Sequence, residues 1–370
     1  MSIRSLPLVQ QDRLNAICPY FTMFPLAFPL SRLVQAHPGQ RVLDPFCGRG
    51  TTNFAARLRG LASVGVDSNP VAVSIASAKL VGPPVDNIIQ LCAQILRSRK
   101  SPSDIPAGPF WRLAFAPTTL IEICKLRECF LRGIDCEEAF ALRAIVLGAL
   151  HGPTTKSEPA YLSNQMPRTY ATKPSPAVKF WQKWKLRPKP VDTLALVARK
   201  AVRYFSDTPP KIGGSIIEGD SRTVDLSRFR KFDWVITSPP YLGMRTYFPD
   251  QWLRNWFLGG PSNITYNGPP QIGNENPARF ASDLAEVWRN IATRCRPRAK
   301  LIVRFGALPS IQVDARTLLK NSFDNAQCGW RIATIKEAGN AREGKRQSEQ
   351  FSLRTSSPFA EFDLYARLEP

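Results

Sequence analysis

A buried strand that runs straight into a paired-glycine turn constrains this chain more than any other feature. Arg41-Val-Leu-Asp44 is followed at once by Pro45-Phe46-Cys47-Gly48-Arg49-Gly50. Glycine lets a backbone turn sharply and approach a ligand without a Cβ in the way. Thr51 to Leu58 then reads as a short helix stopped by Gly60, and Leu61 to Val66 as a second buried strand closed by Asp67. Ser68-Asn69-Pro70 is a helix start, a capping side chain before a first-turn proline, and that helix runs to about Val81. Strand–helix–strand–helix in so short a span predicts a parallel, doubly wound sheet.

The alternation lapses from Gly82 to about Pro190, where the pattern is helical over 118–150 and otherwise irregular and basic. It resumes with a helix over 192–205 and strands over 215–218 and 232–237. A helix over 277–295, a strand over 300–305, a helix over 313–322 and strands over 330–336 and 360–367 complete it. The expected fold class is α/β: a doubly wound, seven-stranded, Rossmann-like sheet with an inserted, largely helical basic region. Residues 13–81 form the first part of the core and 82–190 the insertion. Residues 191–370 form the second part, in which 242–276 is expected to be either a lid or a structural packing hairpin.

Charge narrows the partner. Fifty Lys and Arg stand against 29 Asp and Glu, a formal excess of +21. Such an excess favours a polyanion, because every phosphate neutralised releases condensed counterions. No apolar run approaches the ~20 residues of a membrane span, and Met1 to Gln11 has no secretory pattern, so a cytoplasmic location is expected. Eight cysteines without a CxxC pair and only two histidines, His37 and His151, leave no zinc-ligand spacing; no metal is expected.

Asp67 lies at the end of the strand after the glycine turn, where a carboxylate can accept both hydroxyls of a ribose. A pyrophosphate site would place a third glycine at the helix start, where Thr52-Asn53-Phe54 is bulkier. Further on, Phe232-Asp-Trp-Val-Ile-Thr237 runs into Ser238-Pro239-Pro240-Tyr241. The prolines fix φ and end the strand, so a rigid turn projects at the sheet's carboxyl edge, where ligands of open α/β folds bind.

These stretches resemble the amino-methylating DNA methyltransferases. DPFCGRGTT resembles motif I of that family, VDSNP its motif II and Tyr20-Phe21-Thr22-Met23-Phe24-Pro25 its motif X. Glu218-Gly219-Asp220 is similar to motif III and TSPPY to motif IV. The resemblance implies S-adenosylmethionine as cofactor, held by Tyr20, Phe21, Thr22, Asp44, Pro45, Phe46, Gly48, Gly50, Thr51, Thr52, Asp67, Ser68 and Asp220. It implies a catalytic turn of Ser238, Pro239, Pro240 and Tyr241. There Ser238 and the Pro239 carbonyl accept the two hydrogens of an exocyclic amino group, and Tyr241 stacks on a base flipped out of duplex DNA. The TSPPY form is commonest among cytosine-N4 enzymes, so N4-methylcytosine is the expected product. Adenine-N6 methylation, RNA guanine-N2 methylation and non-enzymatic nucleic-acid binding are the alternatives. Carbon-5 methylation is excluded, since no Pro-Cys dipeptide supplies its nucleophile. A cognate restriction endonuclease, a monomer and a nucleoid-associated location complete the implied setting. The chain departs from the family's usual layout in placing its large insertion between motifs II and III.

From Glu158 to Asp192 no acidic residue intervenes, while Arg168, Lys173, Lys179, Lys183, Lys185, Arg187 and Lys189 alternate with Tyr161, Tyr170, Phe180, Trp181 and Trp184. Lysines suit phosphates and Arg168 suits a base edge. Arg168, Lys173, Lys183, Lys185 and, after the catalytic turn, Arg245 are the candidate nucleic-acid contacts.

Overall fold

Among the described residues, seven strands build one sheet in the order β3-β2-β1-β4-β5-β7-β6. They are β1 (Arg41–Asp44), β2 (Ala62–Asp67), β3 (Gly214–Glu218), β4 (Phe232–Thr237), β5 (Cys295–Gly306), β6 (Trp330–Glu337) and β7 (Glu361–Leu368). The computed structural model describes residues 13–20, 24–153, 159–166, 173–243, 249–266, 272–273, 276–306, 313–338 and 361–370. The chain divides into two compact units, one of 20–80, 210–246 and 269–370, the other of 1–19, 81–209 and 247–268.

The first unit carries the sheet. The inner strands are continuously buried, as parallel strands covered on both faces must be: Val42, Leu43, Val64, Val66, Val235 and Ile236 are all inaccessible. The helix Pro277–Ala292 buries Phe280, Leu284, Val287, Trp288 and Ile291, a helical repeat that seats one face on the core. The helix Ala315–Ala326 adds Phe323, stacked on Trp288 at 5.2 Å. β1 pairs in parallel with β2 on one side and with β4 on the other. The order of the sheet reverses there, and the carboxyl ends of strands at such a switch point are where open α/β folds bind ligands.

All seven expected strands form, and the α/β expectation holds. The sheet is mixed, however: β7 lies between β5 and β6 and runs antiparallel to both. Apolar alternation along a strand carries no information about the direction of its neighbour, which is why a wholly parallel sheet was expected.

The second unit is helical, and its aromatic core packs tightly. Trp111 meets Trp256 at 4.5 Å between ring centroids, and Phe110 meets Trp252 at 4.9 Å and Trp181 at 5.6 Å. The helical stretch expected over 118–150 is two helices, Pro117–Leu131 and Glu137–Ala149. Gly133, at φ 83°, turns the chain between them and donates to the Phe130 carbonyl. This unit also takes the helix Thr193–Phe205, which packs on Val85–Arg97 and Glu137–Ala149. The insertion therefore extends to Pro209 and not to 190. The segment expected as a lid or packing hairpin contributes the helix Trp252–Phe257, buried at every residue. Arg127 donates to the Trp256 carbonyl at 2.8 Å, and Arg254 to those of Leu147 and Pro19. That helix is core of the helical unit. No described helix is long and apolar enough to cross a membrane.

Candidate active site at the carboxyl edge of the sheet

The glycine turn after β1 requires its glycines. Gly48 and Gly50 lie at φ 50° and 74°, in the left-handed region, and Gly50 caps the helix Thr51–Leu58. A Cβ at Gly50 would stand 2.9 Å from the Ala76 Cα and 2.7 Å from its Cβ, whereas a Cβ at Gly48 would meet nothing within 4 Å. One glycine lets two helices touch; the other faces open space.

Asp67 closes the turn. Its two oxygens accept the Gly48 and Asn69 N–H groups, each at 2.9 Å. Asn69 in turn caps the helix Pro70–Ala78 by accepting from Val71, and its amide donates to the Tyr20 hydroxyl at 3.1 Å. Tyr20, Ser68 and Asp67 are thus brought to the mouth of the turn. Burial pushes the Asp67 carboxyl up to about 6 against the pull of those two donors.

Asp44 ends β1 and is fully buried. Its Oδ1 accepts from the Thr237 hydroxyl at 2.6 Å and from the Phe46 N–H at 3.1 Å; its Oδ2 is buried with no partner. Burial raises this carboxyl also, to about 6. Thr52 reaches across to the Ile236 carbonyl at 3.2 Å, and Ser221 donates to the Pro45 carbonyl. Thr52 and Pro45 therefore hold backbone in place, with Thr51 beside them at the buried helix start. Phe46 packs against the hydrophobic core.

At the end of β4, Ser238 Oγ is buried without a well-formed hydrogen bond, its nearest polar neighbour being the Tyr241 hydroxyl. Leaving a buried hydroxyl unpaired costs on the order of 1–3 kcal/mol, and such atoms in native folds call for a partner. Pro239 is buried and Pro240 half-buried behind it. Tyr241 departs from the expected role. It is only 3% exposed, donates to Glu361 Oε1 at 2.9 Å and packs its ring edgewise on Phe305 at 5.5 Å. In this arrangement it has no open face for a base and instead ties the proline turn to β5 and β7. Burial, reinforced by Glu361, holds its hydroxyl well above the ordinary range.

Asp220 follows β3 and is held in the fork of Arg222, whose Nε lies 3.0 Å from both carboxylate oxygens. The same guanidinium reaches Asp283 at 3.2 Å. Hydrogen bonding to Arg222 holds the Asp220 carboxyl below its ordinary value. Arg222, Thr237 and Glu361 are not among the residues expected from the sequence; Thr237 and Glu361 act through partners distant in the chain, and Arg222 bridges its near neighbour Asp220 to the distant Asp283. Phe21, Thr22, Arg168 and Arg245 lie outside the described residues. Lys173 pairs with Asp250 at 3.7 Å, and Lys183 and Lys185 are exposed. Among the described residues no group of acids, cysteines and histidines could hold a metal ion.

The residues fit S-adenosylmethionine. That cofactor carries a sulfonium and an ammonium, and two buried carboxyl groups, one with an unpartnered oxygen, suit a cation. The open side of Gly48 leaves room for it.

The two raised carboxyl groups have a consequence for stability. Each binds its proton more tightly folded than unfolded, so its contribution is fully present below about pH 4 and is lost as pH rises through about 6. Asp44→Asn keeps the acceptor for Thr237 and removes one such group. Urea unfolding at pH 4 to 7 is expected to show a shallower loss of stability for this variant, while calorimetry shows weaker cofactor binding. A slope equal to wild type would mean that Asp44 does not titrate in this window.

Residues 7–78 match a family model described as DNA methylase. No curated protein matches the chain by sequence. Among solved structures, the rRNA methyltransferase aviRa from Streptomyces viridochromogenes is 12% identical over 99% of this chain and 96% of its own, with a TM-score of 0.37. An rRNA methylase from Streptococcus thermophilus is 7% identical over 95% and 100%, with a TM-score of 0.35. Magnesium protoporphyrin IX methyltransferase from Synechocystis PCC 6803 is 10% identical over 98% and 81%, with a TM-score of 0.33. Similarity at this level says nothing of substrate. The matched segment spans the glycine turn, Asp44, Asp67 and Asn69.

Proposed function

We propose that the chain is an S-adenosylmethionine-dependent DNA methyltransferase that modifies an exocyclic amino nitrogen, that of cytosine N4. The observation that carries this reading is the buried Ser238 Oγ, which has no well-formed hydrogen bond. It sits at the carboxyl end of β4, the strand beside the one that enters the glycine turn. The bound cofactor supplies an electrophilic methyl group on a positively charged sulfur.

An exocyclic amino nitrogen is a poor nucleophile because its lone pair is conjugated into the ring. Ser238 Oγ and the Pro239 carbonyl accept its two hydrogens, draw it towards tetrahedral geometry and aim the lone pair. S-Adenosylmethionine, when bound, would supply the methyl group and keep the carbon–sulfur electron pair as the nitrogen–carbon bond formed. The methylated nitrogen then loses one proton along the Ser238 or Pro239 hydrogen bond to water. The rate gain comes from orientation and from acceptors fixed in advance. Pro239 and Pro240 make the turn rigid, and Tyr241 anchors it through Glu361. A flipped base, a monomeric enzyme, a cognate restriction endonuclease and a nucleoid location belong to the same reading.

Incubation with labelled cofactor and genomic DNA, followed by digestion to nucleosides and mass spectrometry, is expected to yield N4-methylcytosine. N6-Methyladenine would overturn the base and keep the chemistry. Label confined to RNA as N2-methylguanosine would overturn the substrate, and 5-methylcytosine would overturn the mechanism.

A further inference from the structure

The helix Pro174–Lys183 is anchored on one side and unoccupied on the other. Ala177 and Trp181 are fully buried, and the Trp181 indole donates to the Gln165 carbonyl at 3.1 Å. On the opposite side Lys179 and Lys183, one turn apart, are exposed. Like charges at that spacing weaken a helix. The chain then turns back on itself: Lys185 and Leu186 donate to the carbonyls of Gln182 and Trp181, with Lys185 in the left-handed region at φ 48°. This turn presents Trp184, 60% exposed, with the Lys183 ammonium 5.7 Å from its ring centre. Leu186 beside it is 37% exposed, and Lys185, Arg187 and Lys189 are exposed as well. Among the described residues none of these five cations has a carboxylate partner within ion-pair distance.

The bland account is a solvated basic face. A helix C-terminus does favour a cation, which accounts for Lys183. It does not account for four further unpaired cations, nor for a tryptophan and a leucine held in water at the apex of the turn. Cations track phosphates, and an exposed indole supplies a stacking surface for a base. We infer that the 179–189 turn is a DNA-docking element in which Trp184 wedges against a base step of the duplex and partly unstacks it, while Lys179, Lys183, Lys185 and Lys189 neutralise backbone phosphates. Its partner is duplex DNA, since the matched family acts on DNA; the inference in this respect rests on the proposed function.

The test uses the full chain and a labelled 30-base-pair duplex, with anisotropy read across a salt series. Retained thermal midpoint and calorimetric S-adenosylmethionine binding serve as controls of folding. The quadruple variant of Lys179, Lys183, Lys185 and Lys189 to Gln is expected to flatten the slope of log affinity against log salt by roughly 3.6, that is 0.9 for each of four phosphate contacts. Trp184→Ala is expected to weaken binding on the order of tenfold to a hundredfold with the slope unchanged, and Trp184→Phe to restore most of it. An unchanged slope, or wild-type affinity in Trp184→Ala, overturns the assignment. Preference for a duplex RNA of the same sequence overturns the choice of DNA. If both variants lose affinity as expected but wild-type protein transfers no methyl group to DNA, the docking element stands and the proposed reaction falls. Methyl transfer that survives both variants at wild-type KM overturns the docking element alone.

Discussion

Replacing Ser238 by alanine is expected to lower the turnover of methyl transfer to DNA on the order of 10²-fold to 10³-fold and to leave cofactor binding within about twofold. Ser238 Oγ has no well-formed hydrogen bond in the protein, only the nearby Tyr241 hydroxyl, so alanine removes little there. It also removes an unsatisfied buried hydroxyl, so the variant is expected to be at least as stable as wild type. Loss of an interaction made mainly in the transition state lowers kcat and kcat/KM together. Single-turnover transfer with radiolabelled cofactor, beside calorimetric cofactor titration, separates the two effects. Transfer at the wild-type rate would remove Ser238 from the mechanism. Loss of stability would assign the hydroxyl a structural role that its geometry does not show.

The second large effect is on folding. Gly50→Ala is expected to cost roughly 2–5 kcal/mol, combining a left-handed residue with an overpacked contact. The added methyl would stand 2.9 Å from the Ala76 Cα, which is backbone and cannot swing aside. Gly48→Ala pays only the backbone strain, about 1–2 kcal/mol, because nothing lies within 4 Å of its Cβ position. The contrast is the useful quantity. Chemical denaturation is expected to rank wild type above Gly48→Ala and Gly48→Ala well above Gly50→Ala. Calorimetry is expected to show that Gly48→Ala binds the cofactor poorly for its modest cost in stability, since its methyl enters the open side of the turn. Equal destabilisation by the two substitutions would mean that the turn, and not the packing of the helices Thr51–Leu58 and Pro70–Ala78, sets the requirement.

Much of the site was legible in the residues because its parts are local. The Asp44–Gly50 turn follows from glycine's conformational freedom, the Asn69 cap from a side chain placed before Pro70, and the Ser238–Pro240 turn from prolines that end a strand. Each depends on neighbours in the chain, and each forms where expected. The acid-free run after Glu158 was equally plain, although its fold was not: the helix Pro174–Lys183 lay hidden in proline-rich sequence. Pro174 and Pro176 belong to its opening residues, where a missing N–H costs nothing.

Only the tertiary structure decided what lies far apart in the chain. It set β7 antiparallel between β5 and β6, and it brought Glu361 of β7 to the Tyr241 hydroxyl, so that an aromatic expected to face a base is buried. It joined Asp283 to the Arg222 guanidinium, and it set Thr237 against Asp44 across neighbouring strands. It drew Thr193–Phe205 and Trp252–Phe257 into the helical unit. The physical reason is that periodicity, caps and turns report the energy of a residue with its near neighbours in sequence. Strand order, register and the pairing of buried polar groups come from contacts between distant segments, and those exist only once the core has closed.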